Sequence, residues 1–317
     1  MGLTRADLTP DLSPEEYASR KEWIDRTSSN DIWAQKIFRK IGILLTSHQA
    51  NRPYLRACIE SHAKLGYWIT LAYDNYLHPQ DLEISHDKNM PGRETMDMVD
   101  MFFMPHYQVW GGVLYPYFWQ LKWGVDAMQQ FEYIYCTNGD FVLDKPEGFE
   151  ELFSLLGDAD IMTSGPDYDS AANTAGFIAK SKALKAIFRH WQEHFIPFEV
   201  YEKYTQQIGN AEGRFGAAIR DLGLKKATVL APIGEDGEPD DMFRHNPAKR
   251  KQAGTWYDLI GFRHIHSELN FAYRNKGTPP PSKYLDERFT SENDIRAAKL
   301  YEETGDIKLL EDWYAKE

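Results

Sequence analysis

Cysteine is nearly absent: the 317 residues include only Cys58 and Cys136. Two thiols cannot build a disulfide framework, so a hydrophobic core must hold the fold and a reducing compartment is the default. Long apolar runs are also missing, and nothing approaches the roughly 18 residues that suggest a membrane span. The opening MGLTRADLTP lacks the apolar stretch of a signal peptide, and Ala6 breaks the myristoylation pattern that Gly2 would otherwise begin. A soluble, cytoplasmic protein is therefore expected. There is no excess of positive charge, since 36 Lys and Arg face 48 Asp and Glu for a net −12. That balance argues against a broadly basic nucleic-acid-binding face. No fixed-period repeat or low-complexity tract occurs, which excludes solenoid arrays; Pro279-Pro280-Pro281 is an isolated spacer. Core material is plentiful, because 42% of residues are hydrophobic and 14% aromatic, which excludes global disorder.

The pattern along the chain is alternating. Residues 1–40 are charged and read as a helical lead-in, with Ser13-Pro14-Glu15-Glu16 as a helix start. Ile41 to Thr46 is a short apolar run suited to a buried parallel strand. Residues 53–65 place Leu55, Cys58, Ile59, His62 and Ala63 on one helical face, and Gly66 ends that helix. Trp68 to Tyr73 is a second strand closing on Asp74-Asn75, so a βαβ unit with a right-handed crossover is expected. A helix over 115–130 leads to a strand at 132–137 that ends in Asn138-Gly139-Asp140. Beyond it the pattern predicts helices near 147–156, 181–195 and 210–222, and strands at 161–163, 174–179 and 227–230. The fold class expected is α/β, a mixed and mainly parallel sheet flanked by helices. Residues 284–317 form a C-terminal helical appendage, with ten acidic and five basic residues over 286–317. The domain reading is 1–40 lead-in, 41–283 body and 284–317 appendage.

In such sheets, ligands sit beyond the carboxyl ends of the strands. Three ends carry polar groups here: Thr46-Ser47-His48-Gln49-Ala50-Asn51-Arg52, Asp74-Asn75 and Asn138-Gly139-Asp140. Neither Gly-x-x-x-x-Gly-Lys nor Gly-x-Gly-x-x-Gly is present, so a phosphate loop and a dinucleotide fingerprint have no support. Each end taken alone has a structural reading, with Asn51 as an N-cap before Pro53 and Asp74-Asn75 as a turn.

Taken together, these segments resemble the GT-A class of nucleotide-sugar glycosyltransferases from about Ile41 to His266. The resemblance is carried by Thr46-Ser47, Asn51-Arg52-Pro53-Tyr54, Tyr73-Asp74-Asn75 and Asn138-Gly139-Asp140. It continues through Asn173-Thr174-Ala175-Gly176-Phe177, Asn210-Ala211-Glu212 and His264-Ile265-His266. It implies a GT-A-like fold and nucleotide contacts from Thr46, Ser47, Arg52, Asp74 and Asn75. It also implies a divalent cation, Mg²⁺ or Mn²⁺, held by Asp140 and a late histidine, His264 or His266. The family usually has Asp-x-Asp where this chain has Asn138-Gly139-Asp140, so Asn138 either weakens metal binding or offers an amide to the ribose. Gly139 permits close backbone approach. The two histidines, at i and i+2, are expected on one face of a strand.

The chemistry is consistent with those residue types. A nucleotide diphosphate leaving group develops negative charge, which a cation held by carboxylates offsets. Inverting transfer also needs a carboxylate to take the acceptor proton. The resemblance puts Glu212, at a helix start, in that position, with Asp167 and Asp169 as the other choices. A first-turn Glu212 is equally explained by the helix dipole. Aromatics crowd 101–123, where Trp110-Gly111-Gly112 suits an exposed stacking residue. Residues 240–283 hold eight basic and four acidic residues, a local +4. This segment is a solvated loop, a diphosphate clamp or a contact to a polyanionic acceptor, and Ala253 to Tyr257 beside it suits a lid.

The expected function is transfer of a hexose from a nucleotide-sugar donor, a UDP-sugar first, to a hydroxyl acceptor. The acceptor is a glycan, a small molecule or a hydroxymethylated base in DNA. A non-catalytic sugar-nucleotide binder is the alternative, and a nucleotidyltransferase on a related sheet is a third.

Overall fold

The computed structural model describes residues 36–37, 39–74, 91–103, 114–165, 174–195, 211–227, 229–231, 233–234, 237, 251 and 254–315. Most of the expected lead-in therefore lies outside the described residues. The strands are β1 (Ile41–His48), β2 (Trp68–Asp74), β3 (Met101–Phe103), β4 (Tyr133–Asn138), β5 (Phe141–Leu143), β6 (Ile161–Thr163), β7 (Gly176–Lys180) and β8 (Phe262–His264). The helices are α1 (Arg52–Ala63), α2 (Arg93–Met96), α3 (Leu114–Ala127), α4 (Phe149–Ser154), α5 (Ser181–Phe195) and α6 (Ala211–Asp221). They continue as α7 (Thr255–Ile260), α8 (Ile265–Asn275), α9 (Glu292–Thr304) and α10 (Glu311–Tyr314). Among the described residues no helix is long and apolar enough to cross a membrane.

Six strands form one sheet in the order β3-β2-β1-β4-β7-β6. β1 is parallel to both β2 and β4, whereas β7 runs antiparallel between β4 and β6. The fold class is thus the expected mixed, mainly parallel sheet flanked by helices, with helices appended at the C-terminus. A central parallel strand is covered on both faces, so β1 reads as a continuous apolar run and is buried along its length until His48. One face packs against α1, α4 and α7 through Ile43, Leu45, Leu55, Ile59, Phe149 and Trp256. The other packs against α3, α5 and α6 through Leu44, Phe118, Leu121, Leu184 and Phe215. The C-terminal helices dock through Ile295, Ala298, Leu310 and Trp313 onto Tyr54 of α1 and Ile265 and Leu269 of α8.

The chain leaves β1 through α1 toward β2 and β3, then returns through α3 to β4 on the other side of β1. The order β3-β2-β1-β4 therefore reverses between β1 and β4, and the crevice outside their carboxyl ends is where such sheets take ligands. β5 follows β4 directly and pairs antiparallel with β8, Phe141 opposite His264. That small second sheet brings residue 264 beside residue 140.

Three expectations are corrected. No strand covers 227–230 among the described residues; Lys226 forms one parallel bridge to Ile161, and the Ala227 N–H bonds the Ile161 carbonyl at 2.8 Å. β6, only three residues long, gives a further strand little to pair with. His264 and His266 do not share a strand, because β8 ends at His264. The Ile265 N–H then bonds the Asp140 carbonyl at 3.0 Å, and α8 begins. Finally, Trp256 belongs to no lid: it is 1% exposed, inside α7, packed on Tyr135 and Phe262.

Candidate active site

Backbone pairing aligns the strand ends. The register sets Thr46 opposite Asn138 and His48 opposite Asp74. Gln120 of α3 stitches the strand ends by donating to the carbonyls of Ser47 at 2.6 Å and Ala72 at 3.3 Å. Thr46 Oγ1 donates to Asn138 Oδ1 at 2.9 Å, which ties the amide oxygen of Asn138 to β1. The Gly139 N–H bonds the Thr46 carbonyl at 2.8 Å. A Cβ on Gly139 would lie 2.4 Å from Ser47 Oγ and 3.0 Å from Leu55 Cδ1, so the turn accepts only glycine without a shift. Ser47 Oγ is buried and has no hydrogen-bond partner.

Asp140 is the buried carboxylate at these strand ends. Its Oδ2 lies 2.9 Å from His264 Nε2, and its Oδ1 is buried with no hydrogen-bond partner. Burial works to raise the Asp140 carboxyl, but His264, His266 and His48 together hold it below its ordinary value. His264 lies flat on Phe141, with centroids 4.4 Å apart and planes 9° from parallel, and Phe141 stacks in turn on Phe262. The outer nitrogen of His264, Nδ1, is 2.6 Å from Ser267 Oγ.

His266, in the first turn of α8, remains close despite the end of the strand, its ring 6.1 Å from that of His264. Its Nε2 bonds the Asn270 amide at 2.9 Å, and its Nδ1 faces Tyr54 Oη at 3.4 Å. Burial pulls its pKa down against the pull of Asp140. With both nitrogens engaged away from Asp140, His266 is the weaker candidate ligand.

The structure therefore brings together Thr46, Ser47, Asn138, Gly139, Asp140, His264 and His266. The backbone of Asp74 joins them at the end of β2, while its side chain is not among those described. Arg52 instead lies over the Phe289 ring, 3.8 Å from its centroid, at the junction with the C-terminal segment. Glu212 sits in the first turn of α6, with its side chain outside the described set. Asn75, Asp167, Asp169 and Trp110-Gly111-Gly112 lie outside the described residues. Within the basic segment, Arg263 is internal: it bonds Glu268 at 3.0 Å and Asp144 at 2.9 Å. Asp144, which also accepts from Tyr284, is an anchor for the C-terminal segment.

Two residues gain a role only from the structure: His48, which the sequence placed in the polar end of the first strand without assigning it one, and Ser267. His48, exposed at the end of β1, contributes to the electrostatics of Asp140 and accepts the Ala50 N–H on Nδ1 at 3.2 Å. Ser267 stands three residues after His264, a spacing that carries meaning only once a helix begins there.

Among the described residues, no three His, Cys, Asp or Glu side chains are arranged as a metal cage. A hard cation that also binds a diphosphate does not need one, since one or two protein donors plus phosphate oxygens and water suffice. Asp140 Oδ2 and His264 Nε2 are hydrogen-bonded to each other at 2.9 Å, and to serve as two ligands of a cation both would turn their lone pairs to it. The mixed oxygen and nitrogen set suits Mn²⁺ at least as well as Mg²⁺.

No protein-family model matches the chain, and no curated protein matches it by sequence. Among solved structures, it is similar to a provisionally assigned nucleotide-diphospho-sugar transferase from Desulfovibrio desulfuricans G20. That overlap has 11% identity and a TM-score of 0.36, and covers 59% of this chain and 78% of the other. It is also similar to a provisionally assigned glucose-1-phosphate thymidylyltransferase from Bacillus anthracis, solved in complex with a sucrose. There the identity is 11% and the TM-score 0.34, over 59% of this chain and 85% of the other. At these scores the reading of the site rests on its own residues.

Proposed function

We propose that the chain is a metal-assisted glycosyltransferase that moves a hexose from a nucleotide-sugar donor, a UDP-sugar first, to a hydroxyl acceptor. One observation carries the reading: a buried carboxylate, Asp140, keeps one oxygen unpartnered at the point where the strand order reverses. In this reading Thr46, Ser47 and the end of β2 line the nucleotide side, and the bare Gly139 lets the donor approach the backbone. Asp140 and His264 would hold Mg²⁺ or Mn²⁺, which when bound offsets the negative charge developing on the departing diphosphate. Glu212 takes the acceptor proton if transfer inverts the sugar, with Asp167 or Asp169 as the other choices.

Turnover of a sugar-nucleotide panel, with and without divalent metal, tests the proposal. Asp140→Ala should lower the rate at least about 100-fold, the scale of losing a charge-stabilising group, while circular dichroism stays native. Absence of both donor hydrolysis and transfer in the wild type would refute it. The acceptor is tested alongside, as a glycan, a small hydroxyl compound or duplex DNA with hydroxymethylated bases. A DNA acceptor predicts a gel shift that weakens steeply with salt.

A second reading, a non-catalytic sugar-nucleotide binder, is favoured by Asn138, whose amide oxygen is already taken by Thr46. Calorimetric binding of sugar nucleotide that a chelator does not change, without turnover, would select it.

A further inference from the structure

We infer that Ser267 is a positioning residue for the cation site, its hydroxyl orienting His264 so that Nε2 and Asp140 present a matched pair of donors. The inference rests on the reading of Asp140 and His264 as the cation's protein ligands. His264 is held by the Phe141 face at 4.4 Å, by Asp140 Oδ2 on one nitrogen and by Ser267 Oγ on the other, among other contacts. The ring therefore has little freedom to turn, and Ser267 is placed by the first turn of α8, whose start is fixed by the Ile265 N–H bond to the Asp140 carbonyl. The same short segment thus sets both the carboxylate and the group behind its histidine partner.

A hydroxyl suits this position because it both donates and accepts. With no cation, the Asp140 carboxylate is acceptor-only, so Nε2 carries the hydrogen. In the neutral ring Nδ1 is then bare, and the Ser267 hydroxyl donates to it. Facing a cation, Nε2 must offer its lone pair. The hydrogen then sits on Nδ1, which donates to Ser267 Oγ. A single contact of 2.6 Å serves both tautomers. Alanine serves neither, whereas threonine keeps the hydroxyl. Partners on the far nitrogen of a metal-bound histidine fix its ring orientation, and their loss typically weakens metal binding by about 10- to 100-fold.

The test titrates Mn²⁺ alone into the full-length protein and follows binding by electron paramagnetic resonance. Ser267→Ala should weaken Mn²⁺ about 10- to 100-fold with unchanged circular dichroism, and Ser267→Thr should recover most of the affinity. Electron spin-echo modulation should show imidazole nitrogen coupled to bound Mn²⁺ in the wild type, lose it in His264→Ala, and show it altered in Ser267→Ala. The inference is overturned if Ser267→Ala binds Mn²⁺ within twofold of wild type. It is equally overturned if wild-type Mn²⁺ shows no imidazole coupling, or if the wild type binds no Mn²⁺. Because no donor is present, this pattern with a silent donor panel would retain the role of Ser267 and remove the transferase reading.

Discussion

Replacing His62 with asparagine should flatten the acid side of the stability profile. His62 is fully buried on α1. Its Nδ1 lies 2.7 Å from the Cys58 carbonyl and its Nε2 3.0 Å from Tyr135 Oη. A carbonyl only accepts, so Nδ1 carries the hydrogen, and the neutral ring takes the tyrosine hydroxyl hydrogen on Nε2. A second proton would sit on Nε2, reverse that bond so that the ring donates to the tyrosine oxygen, and leave a charge inside the core. Burial accordingly lowers the pKa from 6.5 to about 4, against the opposing effect of the Cys58 carbonyl.

The sign follows from linkage. Between those two values the unfolded chain binds the proton and the folded one does not, so stability is fully present above 6.5 and falls as pH drops toward 4. Each pH unit is worth about 1.4 kcal/mol. From pH 7.5 to pH 4.5 the loss through this one group is about 2.5 kcal/mol, and it levels off below about pH 4. Urea unfolding of wild type and His62→Asn at a series of pH values measures it. Asparagine keeps a donor for the Cys58 carbonyl but does not titrate. Carboxyls held low in the fold, Asp140 and Asp286 among them, also cost stability in acid, but equally in both proteins. Subtracting the two profiles isolates His62. Parallel profiles over this range would show that the buried ring is not what the geometry implies.

Gly139→Ala puts a methyl 2.4 Å from Ser47 Oγ; it should cost about 1–3 kcal/mol by overpacking and weaken UDP binding measured by calorimetry. Glu268→Gln removes the carboxylate facing the part-buried Arg263 while Asp144 remains. It should lower stability by about 2 kcal/mol, below the full cost of breaking a buried pair because one partner survives, as read by urea midpoint. Trp256→Ala should cost about 3–5 kcal/mol as a core truncation; a change in KM with an unchanged thermal midpoint would restore the lid reading.

The parallel core was legible because its physics is local. Ile41 to Leu45 and Trp68 to Ala72 are buried on both faces, and nothing but a covered strand wants such runs. The polar residues following them fell together because strands in parallel register end on one edge, so Thr46, Ser47, Asn138 and Asp140 needed no distant information to be grouped. The errors came where elements are too short for a period to show. β8 has three residues, and a His-x-His after it looks like strand alternation until the Ile265 amide turns the chain. α7 has six residues, too few to show which face of Trp256 is covered. Ser267 was invisible for the same reason, since its link to His264 exists only in helical geometry.

The distribution of unsatisfied buried polar atoms gives a separate reason to locate function at this edge. Among the described residues, Ser47 Oγ, Asp140 Oδ1, Thr163 Oγ1 and Ser164 Oγ are buried without a hydrogen-bond partner. β6 is antiparallel to β7, which is antiparallel to β4, so β6 runs the same way as β1 and β4. All four atoms therefore stand at or just beyond the carboxyl ends of parallel strands, whereas Trp256 Nε1 and Thr290 Oγ1 lie elsewhere. Each such atom costs about 1–3 kcal/mol, and a charged oxygen more. A purely structural edge would gain by replacing Ser47 and Thr163 with alanine and valine, which fill similar space without the penalty. Retaining hydroxyls and a carboxylate there is understandable if a polar ligand supplies the missing bonds.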